Sequence, residues 1–185
     1  IIKDVTEQRR LDTLLENERD VLQMIAADAP LEEILEAQIY FVESEIENCR
    51  CSFAVVDRLS NRFGASIAPS FDQDYSDVIE GLAVTPDTGT CGLTAASGKR
   101  QITPNIRESP LWDSFQEFAE RHDLVSCWST PVMDSDGSIL GTLAVYRDYP
   151  SSPTESELNL VESITDITSR SEERRVGKEC PSPCR

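Results

Sequence analysis

The sequence predicts an α+β fold: a central antiparallel sheet with the terminal helices on one face and short helices on the other. Three observations predict it. Amphipathic helical stripes stand near both ends of the chain. Between them lie two pairs of apolar runs, each pair joined by turn residues. The segments that separate the pairs are bounded by Gly and Pro and are too short for long helices.

Ile1 to Ala27 reads as helix. Leu11, Leu15, Leu22 and Ile25 make one narrow stripe at heptad spacing, with Glu18 at the skipped position. An exposed helix with so narrow a stripe calls for a partner helix, and a second copy of itself is the simplest one. Asp28-Ala-Pro30 breaks the helix, and Pro30 suits the first turn of the next. Leu31, Leu35, Ile39, Val42 and Ile46 then form a broader stripe, opposite Glu32, Glu33, Glu36 and Glu43, wide enough to lie on a sheet. Cys51–Asp57 and Phe63–Ala68 are antiparallel strands around a turn with Ser60-Asn61 at its tip. Tyr75–Leu82 reads as a short helix, and Gln101-Ile-Thr103 as a short strand. The segment from Ser109 to His122 is expected as one helix, with Ser109 as cap and Pro110 in its first turn. Val125–Val132 and Ser138–Tyr146 flank Asp134-Ser-Asp136-Gly137, which is hairpin chemistry. Thr154 caps a last helix, with Glu157 completing a capping box and Leu158, Leu160, Val161, Ile164 and Ile167 as its apolar set.

The 185 residues suit one domain with a helical extension. Seventeen basic residues stand against 34 acidic ones, a net charge of −17. That balance argues against nucleic acid or an anionic membrane surface as partner. No apolar run has the length of a membrane span, so a cytoplasmic location is expected. Of the six cysteines, Cys49 and Cys51 share one strand face if the strand runs through both; Cys91 and Cys127 stand alone. Reduced structural thiols are the ordinary reading for such a chain.

Three segments carry a family resemblance. They are Thr88-Gly-Thr-Cys-Gly-Leu-Thr-Ala-Ala-Ser-Gly-Lys-Arg100, Ser126-Cys-Trp-Ser-Thr-Pro-Val132, and Asp136-Gly-Ser-Ile-Leu-Gly-Thr-Leu-Ala-Val-Tyr146. In this order they resemble the GAF domains of bacterial signalling proteins that also carry PAS, histidine-kinase or cyclic-di-GMP enzyme domains. The resemblance spans residues 30–169. It implies a sheet of about five to six strands, with a small-molecule pocket under the short helices. The opening Asp4-Val-Thr-Glu-Gln-Arg-Arg10 also resembles the segment that closes many PAS domains. Three regions are therefore expected: a signalling helix over 1–28, the exit of a PAS-like domain; a GAF domain over 29–169; and a non-native tail over 170–185. Residues 170–180 are similar to a translated sequencing adaptor, and the tail carries no apolar period. On that reading an output domain lies beyond this fragment.

Catalysis finds little support. His122 is the sole histidine, so a thiol–imidazole pair must use it with Cys91 or Cys127, and nothing in the spacing favours that. The helix 109–122 is expected to leave His122 at the surface or at its C-terminus, where a cation suits the dipole. Cys91 resembles one position of the free methionine-(R)-sulfoxide reductases, which are GAF proteins, but their second cysteine-bearing stretch is not matched by residues 111–118. Cys49-Arg-Cys51 with one distant histidine gives no metal ligand set. No motif singles out haem, and neither Cys91 nor Cys127 has the histidine neighbour of a bilin-binding GAF domain. Binding remains. Cys91, Thr94, Trp112, Phe115, Cys127, Trp128 and Thr130 are the candidate ligand contacts, and the aromatics among them serve equally well as core. Cys127 and Trp128 alternate on one strand, so they face opposite sides; which of them meets the pocket is open. The function expected is a sensory module that binds a small molecule or senses redox state. It relays the signal through its terminal helices in a homodimer, paired through Leu11, Leu15, Leu22, Ile25 and the C-terminal helix. The alternatives are a ligand-free dimerisation module and a thiol enzyme.

Overall fold

A computed structural model describes the backbone of residues 2–179 and the side chains of residue 8 and residues 11–170. Helices α1 (Ile2–Ala26) and α2 (Leu31–Glu45) precede strands β1 (Arg50–Asp57) and β2 (Arg62–Ile67). Helices α3 (Gln73–Ile79) and α4 (Gly89–Ser97) follow, then β3 (Gln101–Thr103). Two 3-10 turns, Ile106–Glu108 and Pro110–Phe115, lead into α5 (Gln116–Arg121). Strands β4 (Ser126–Met133) and β5 (Ile139–Arg147) and the long helix α6 (Glu155–Glu179) complete the order. The five strands form one antiparallel sheet in the order β2-β1-β5-β4-β3.

The two-residue period of the strands sorts the core into two layers. Cys51, Phe53, Trp128, Val132, Leu143 and Val145 face α1, α2 and α6. Val21 and Ile25 of α1, Ile34, Leu35, Ile39 and Val42 of α2, and Leu160, Val161, Ile164 and Ile167 of α6 close over them. Cys127, Ala144 and Tyr146 face the other way, under Tyr75, Ile106, Trp112 and Phe118. The expected α+β fold, with terminal helices on one face and short helices on the other, is the fold found.

Several local expectations meet the structure directly. Glu157 accepts from the Thr154 N–H at 2.7 Å, and its own N–H donates to Thr154 Oγ1 at 3.2 Å, so the capping box forms. The β4–β5 turn closes through Gly137 N–H to Asp134 O, with Gly137 at φ +82°. The single helix expected over 109–122 is instead a 3-10 turn running into α5, and the Ser109 side chain makes no cap bond. Cys49 precedes β1, and its thiol donates to Ile46 O at 3.2 Å, while Cys51 is fully buried in the helix-side core. Helix α6 continues through Glu179, beyond the Ser169 limit expected for the domain. The expectation of a non-native tail concerns in part residues 180–185, which lie outside the described residues.

Arg147, at the end of β5, pairs with Glu157 in the first turn of α6 and stacks over Trp128 at 5.1 Å. Ser169 donates to Met133 O further along the same helix, and Arg170 reaches Glu18 of α1 at 3.6 Å. These contacts seat α6 on the sheet and α1 against α6.

Candidate functional site

The site lies on the sheet face away from α1, α2 and α6. Strand β4 turns Cys127 and Ser129 toward it, and β5 turns Thr142, Ala144 and Tyr146 toward it. Helix α4 lies over these strands and is fixed there by threonines. Thr90 Oγ1 and Thr103 Oγ1 are 2.8 Å apart, and Thr94 Oγ1 donates to Thr90 O at 2.8 Å and to Ser129 O at 3.3 Å. Trp112 Nε1 donates to Thr90 Oγ1 at 2.8 Å. Gly92 lets the preceding turn fold against the helix start: a Cβ there would stand 2.5 Å from Thr85 O.

A chain of hydroxyls runs through the site. Ser52 Oγ and Tyr75 Oη are 2.8 Å apart, Tyr75 Oη donates to Tyr146 Oη at 3.0 Å, and Tyr146 Oη stands 3.5 Å from Cys91 Sγ. If each hydroxyl donates onward, the chain ends on the Cys91 sulfur. The Cys127 thiol also hydrogen-bonds that sulfur, and this holds the Cys91 thiol down at about 7, against the opposing pull of burial. Tyr146, Ser129 and Thr142 act in the same direction. Burial pushes the thiol of Cys127 and the phenols of Tyr75 and Tyr146 well up, so they stay protonated as donors. Cys91 is thus the one group of the cluster poised to ionise near neutrality.

Cys91, Thr94, Trp112, Phe115 and Cys127 all lie on this side of the sheet. Thr94 and Trp112 have their polar atoms engaged within the fold, as the bonds above describe. Trp128 and Thr130 are placed otherwise. Trp128 is fully buried among the residues of α2 and α6, and Thr130 Oγ1 accepts from Arg100, which also pairs with Glu162 of α6. Alternation along β4 is the reason: Cys127 faces the cleft, so Trp128 and Thr130 face away. His122 is not at the surface. It caps α5 but is buried against Phe71, Tyr75 and Phe118, with Nε2 3.6 Å from Asp74.

Ser52, Tyr75, Thr142 and Tyr146 belong to the site and were not among the sequence candidates. A signal existed in β5, where Thr142, Ala144 and Tyr146 alternate with the aliphatic Leu143 and Val145. The free space here is small. A cavity of about 20 Å³ is lined by Thr88, Gly89, Cys91, Trp112, Phe115 and Tyr146, among others. A wider groove of about 860 Å³ lies at the end of the sheet, where Arg50, Arg107, Gln116, Asp123 and Asp148 give it a polar wall of mixed charge. Among the described residues, no group of three or more His, Cys, Asp or Glu side chains could hold a metal ion. None of the described helices is long and apolar enough to cross a membrane.

Residues 28–170 match the family model described as GAF domain. The chain is 30% identical over 161 residues to the methyl sulfide methyltransferase-associated sensor of Methanosarcina acetivorans. That match takes in 87% of this chain but 16% of the relative. Among solved structures, the GAF domain of a phosphoenolpyruvate-protein phosphotransferase from Coxiella burnetii superimposes with a TM-score of 0.71 at 15% identity, over 90% of this chain and 96% of that one. A free methionine-R-sulfoxide reductase from Neisseria meningitidis, in complex with its substrate, gives 0.66 at 18% identity, over 90% and 89%. At such identities these structures establish the fold alone.

Proposed function

The chain belongs to the GAF domain family, and from that premise we propose that it is a sensory and regulatory module that relays a stimulus from its cleft to its terminal helices. One observation carries the reading. The residues that floor the cleft, Cys127 and Tyr146, alternate along the same strands with Trp128 and Val145, which carry α2 and α6. A change in packing on one face therefore acts directly on the other. The sensor role of the Methanosarcina relative supports the same reading.

The finer features belong to this proposal. The module works as a homodimer that pairs through α1 and α6. Leu11, Leu15 and Leu22 stay 52%, 63% and 37% exposed along α1, which supports a second copy as their partner, whereas Ile25 is 6% exposed and belongs to the core rather than to the seam. Residues 1–28 act as a signalling helix from a PAS-like domain, residues 29–169 sense, and the output is of two-component or cyclic-di-GMP type. A few kcal/mol of preference between two packings of the seam suffices for such a relay.

A second reading is favoured by the size of the cavity: at about 20 Å³ the cleft is nearly filled by its own aromatics, as in a ligand-free dimerisation module. Native mass spectrometry of the chain, purified without denaturant, separates the two. A dimer that carries a small-molecule mass, released on denaturation, supports a ligand sensor. A dimer of bare chain mass whose association is insensitive to oxidants leaves the interaction module. A monomer at micromolar concentration rejects both.

A further inference from the structure

We propose that Cys91 and Cys127 form a dithiol that reacts with hydrogen peroxide and closes to a disulfide between α4 and β4. The inference rests on the sensory reading above and names its stimulus.

Three observations meet at the Cys91 sulfur. The first is pairing. Cys91, on α4, packs against the buried cluster that holds Cys127, on β4, and both cysteines are free. The two differ in setting, since Cys127 is fully buried while Cys91 keeps partial exposure. A partly exposed cysteine that ionises beside a buried thiol that does not is the arrangement of an attacking and a resolving cysteine.

The second is unsatisfied polarity. Ser129 Oγ and Thr142 Oγ1 are fully buried and have no hydrogen-bond partner among the described residues. Both lie close enough to the Cys91 sulfur to favour its ionised form. Buried hydroxyls without partners are costly and call for an explanation. They suit a site that stabilises charge on sulfur and receives a small polar molecule beside it.

The third is size. The cavity that Cys91 and Tyr146 line is about 20 Å³. Roughly 10–15 Å³ is needed to seat one water molecule. A reactant of two heavy atoms matches that space, and an amino-acid sulfoxide does not.

The chemistry balances without a metal or cofactor. The Cys91 thiolate attacks one peroxide oxygen, the O–O bond breaks, and the leaving hydroxide takes a proton from solvent. Cys91 is then a sulfenic acid and one water has formed. The Cys127 sulfur attacks the Cys91 sulfur as its proton passes to the departing hydroxyl, so the S–S bond forms, the S–O bond breaks and a second water leaves. Two electrons pass from the two sulfurs to the peroxide. An external dithiol, by exchange, returns the pair to its reduced state.

The test treats the whole chain with stoichiometric hydrogen peroxide at neutral pH, blocks remaining thiols with N-ethylmaleimide, and maps peptides without reduction. The expected result is a peptide pair joined through Cys91 and Cys127, lost in Cys91→Ser. In Cys127→Ser, dimedone should label Cys91 instead. The proposal is overturned if Cys91 is recovered as the maleimide adduct, or if it is oxidised but joined elsewhere or driven only to sulfinic acid. Circular dichroism and molecular mass of the same samples read the relay separately. A joined pair with unchanged helical association keeps the dithiol and removes the relay. An association that responds to a small molecule with no joined pair overturns the dithiol and keeps the sensor.

Discussion

Cys91 and Cys127 carry the same side chain and are driven in opposite directions by their neighbours. Cys127 is buried and gives its hydrogen, so its thiol is pushed up; Cys91 receives hydrogens, so its thiol is held at about 7. The sign of the pH dependence follows. Below about 7 the thiolate fraction of Cys91 falls tenfold per pH unit, and above it the fraction is flat, whereas an ordinary thiol keeps gaining up to about 8.5. The rate of iodoacetamide reaction at Cys91 in the folded protein should therefore rise through pH 7 and level off; a midpoint near that of free cysteine would contradict it. Removing one donor with Tyr146→Phe should raise the midpoint and cut the rate at pH 6 by up to about tenfold, the worth of one hydrogen bond to a charged group. Backbone constraint is as local as this chemistry. A methyl group at Gly92 would meet Thr85 O and Thr88 Cβ at 2.5 Å, so Gly92→Ala should destabilise the fold by about 1–3 kcal/mol, read as a lower urea midpoint at unchanged slope.

Among the elements, α6 is the best defined at its start. Thr154 and Glu157 exchange backbone bonds, and Glu157 also holds Arg147 at the end of β5. Thr154→Ala should cost about 1 kcal/mol in chemical denaturation. Glu157→Ala should cost more, because it leaves the buried Arg147 side chain without its carboxylate. This cap was legible in the sequence because capping is a matter of residues three apart. The β4–β5 hairpin was legible for a similar reason, with its turn residues between two apolar runs. The 109–122 segment was misread, because Pro110 suits the first turn of either helix type and the tight 3-10 path through Trp112 depends on its bond to Thr90, 22 residues away. The hydroxyl chain was illegible for the same reason on a larger scale. Ser52, Tyr75 and Tyr146 come from β1, α3 and β5, and only the β1–β5 register and the packing of α3 on the sheet bring them together. The choice between Cys127 and Trp128 needed one further fact, the face on which α6 lies, and alternation then decided it together with Thr130.

At the scale of the whole molecule, an apolar stripe stays unclosed along α1 among the described residues. Val21 and Ile25 on one side of that helix are buried in the core, while Leu11, Leu15 and Leu22 remain exposed. Leu15→Glu should therefore abolish association, measured by light scattering on a sizing column, while changing folding stability by about 0.5 kcal/mol or less. Val21→Ala should do the converse, lowering thermal stability with association kept. The seating of α1 on α6 has a mechanical side. Core packing holds α1 from Leu14 onward, and Glu18 pairs with Arg170 of α6. The dozen residues of α1 from Ile2 to Thr13 continue the helix beyond that hold. At 1.5 Å per residue the α1 overhang is about 18 Å long, so a tilt of about 5° at the sheet moves its tip by about 1.5 Å. The overhang is a lever with its fulcrum at Leu14: a side-chain adjustment too small to reshape the core becomes, at the tip, a displacement of one full residue rise.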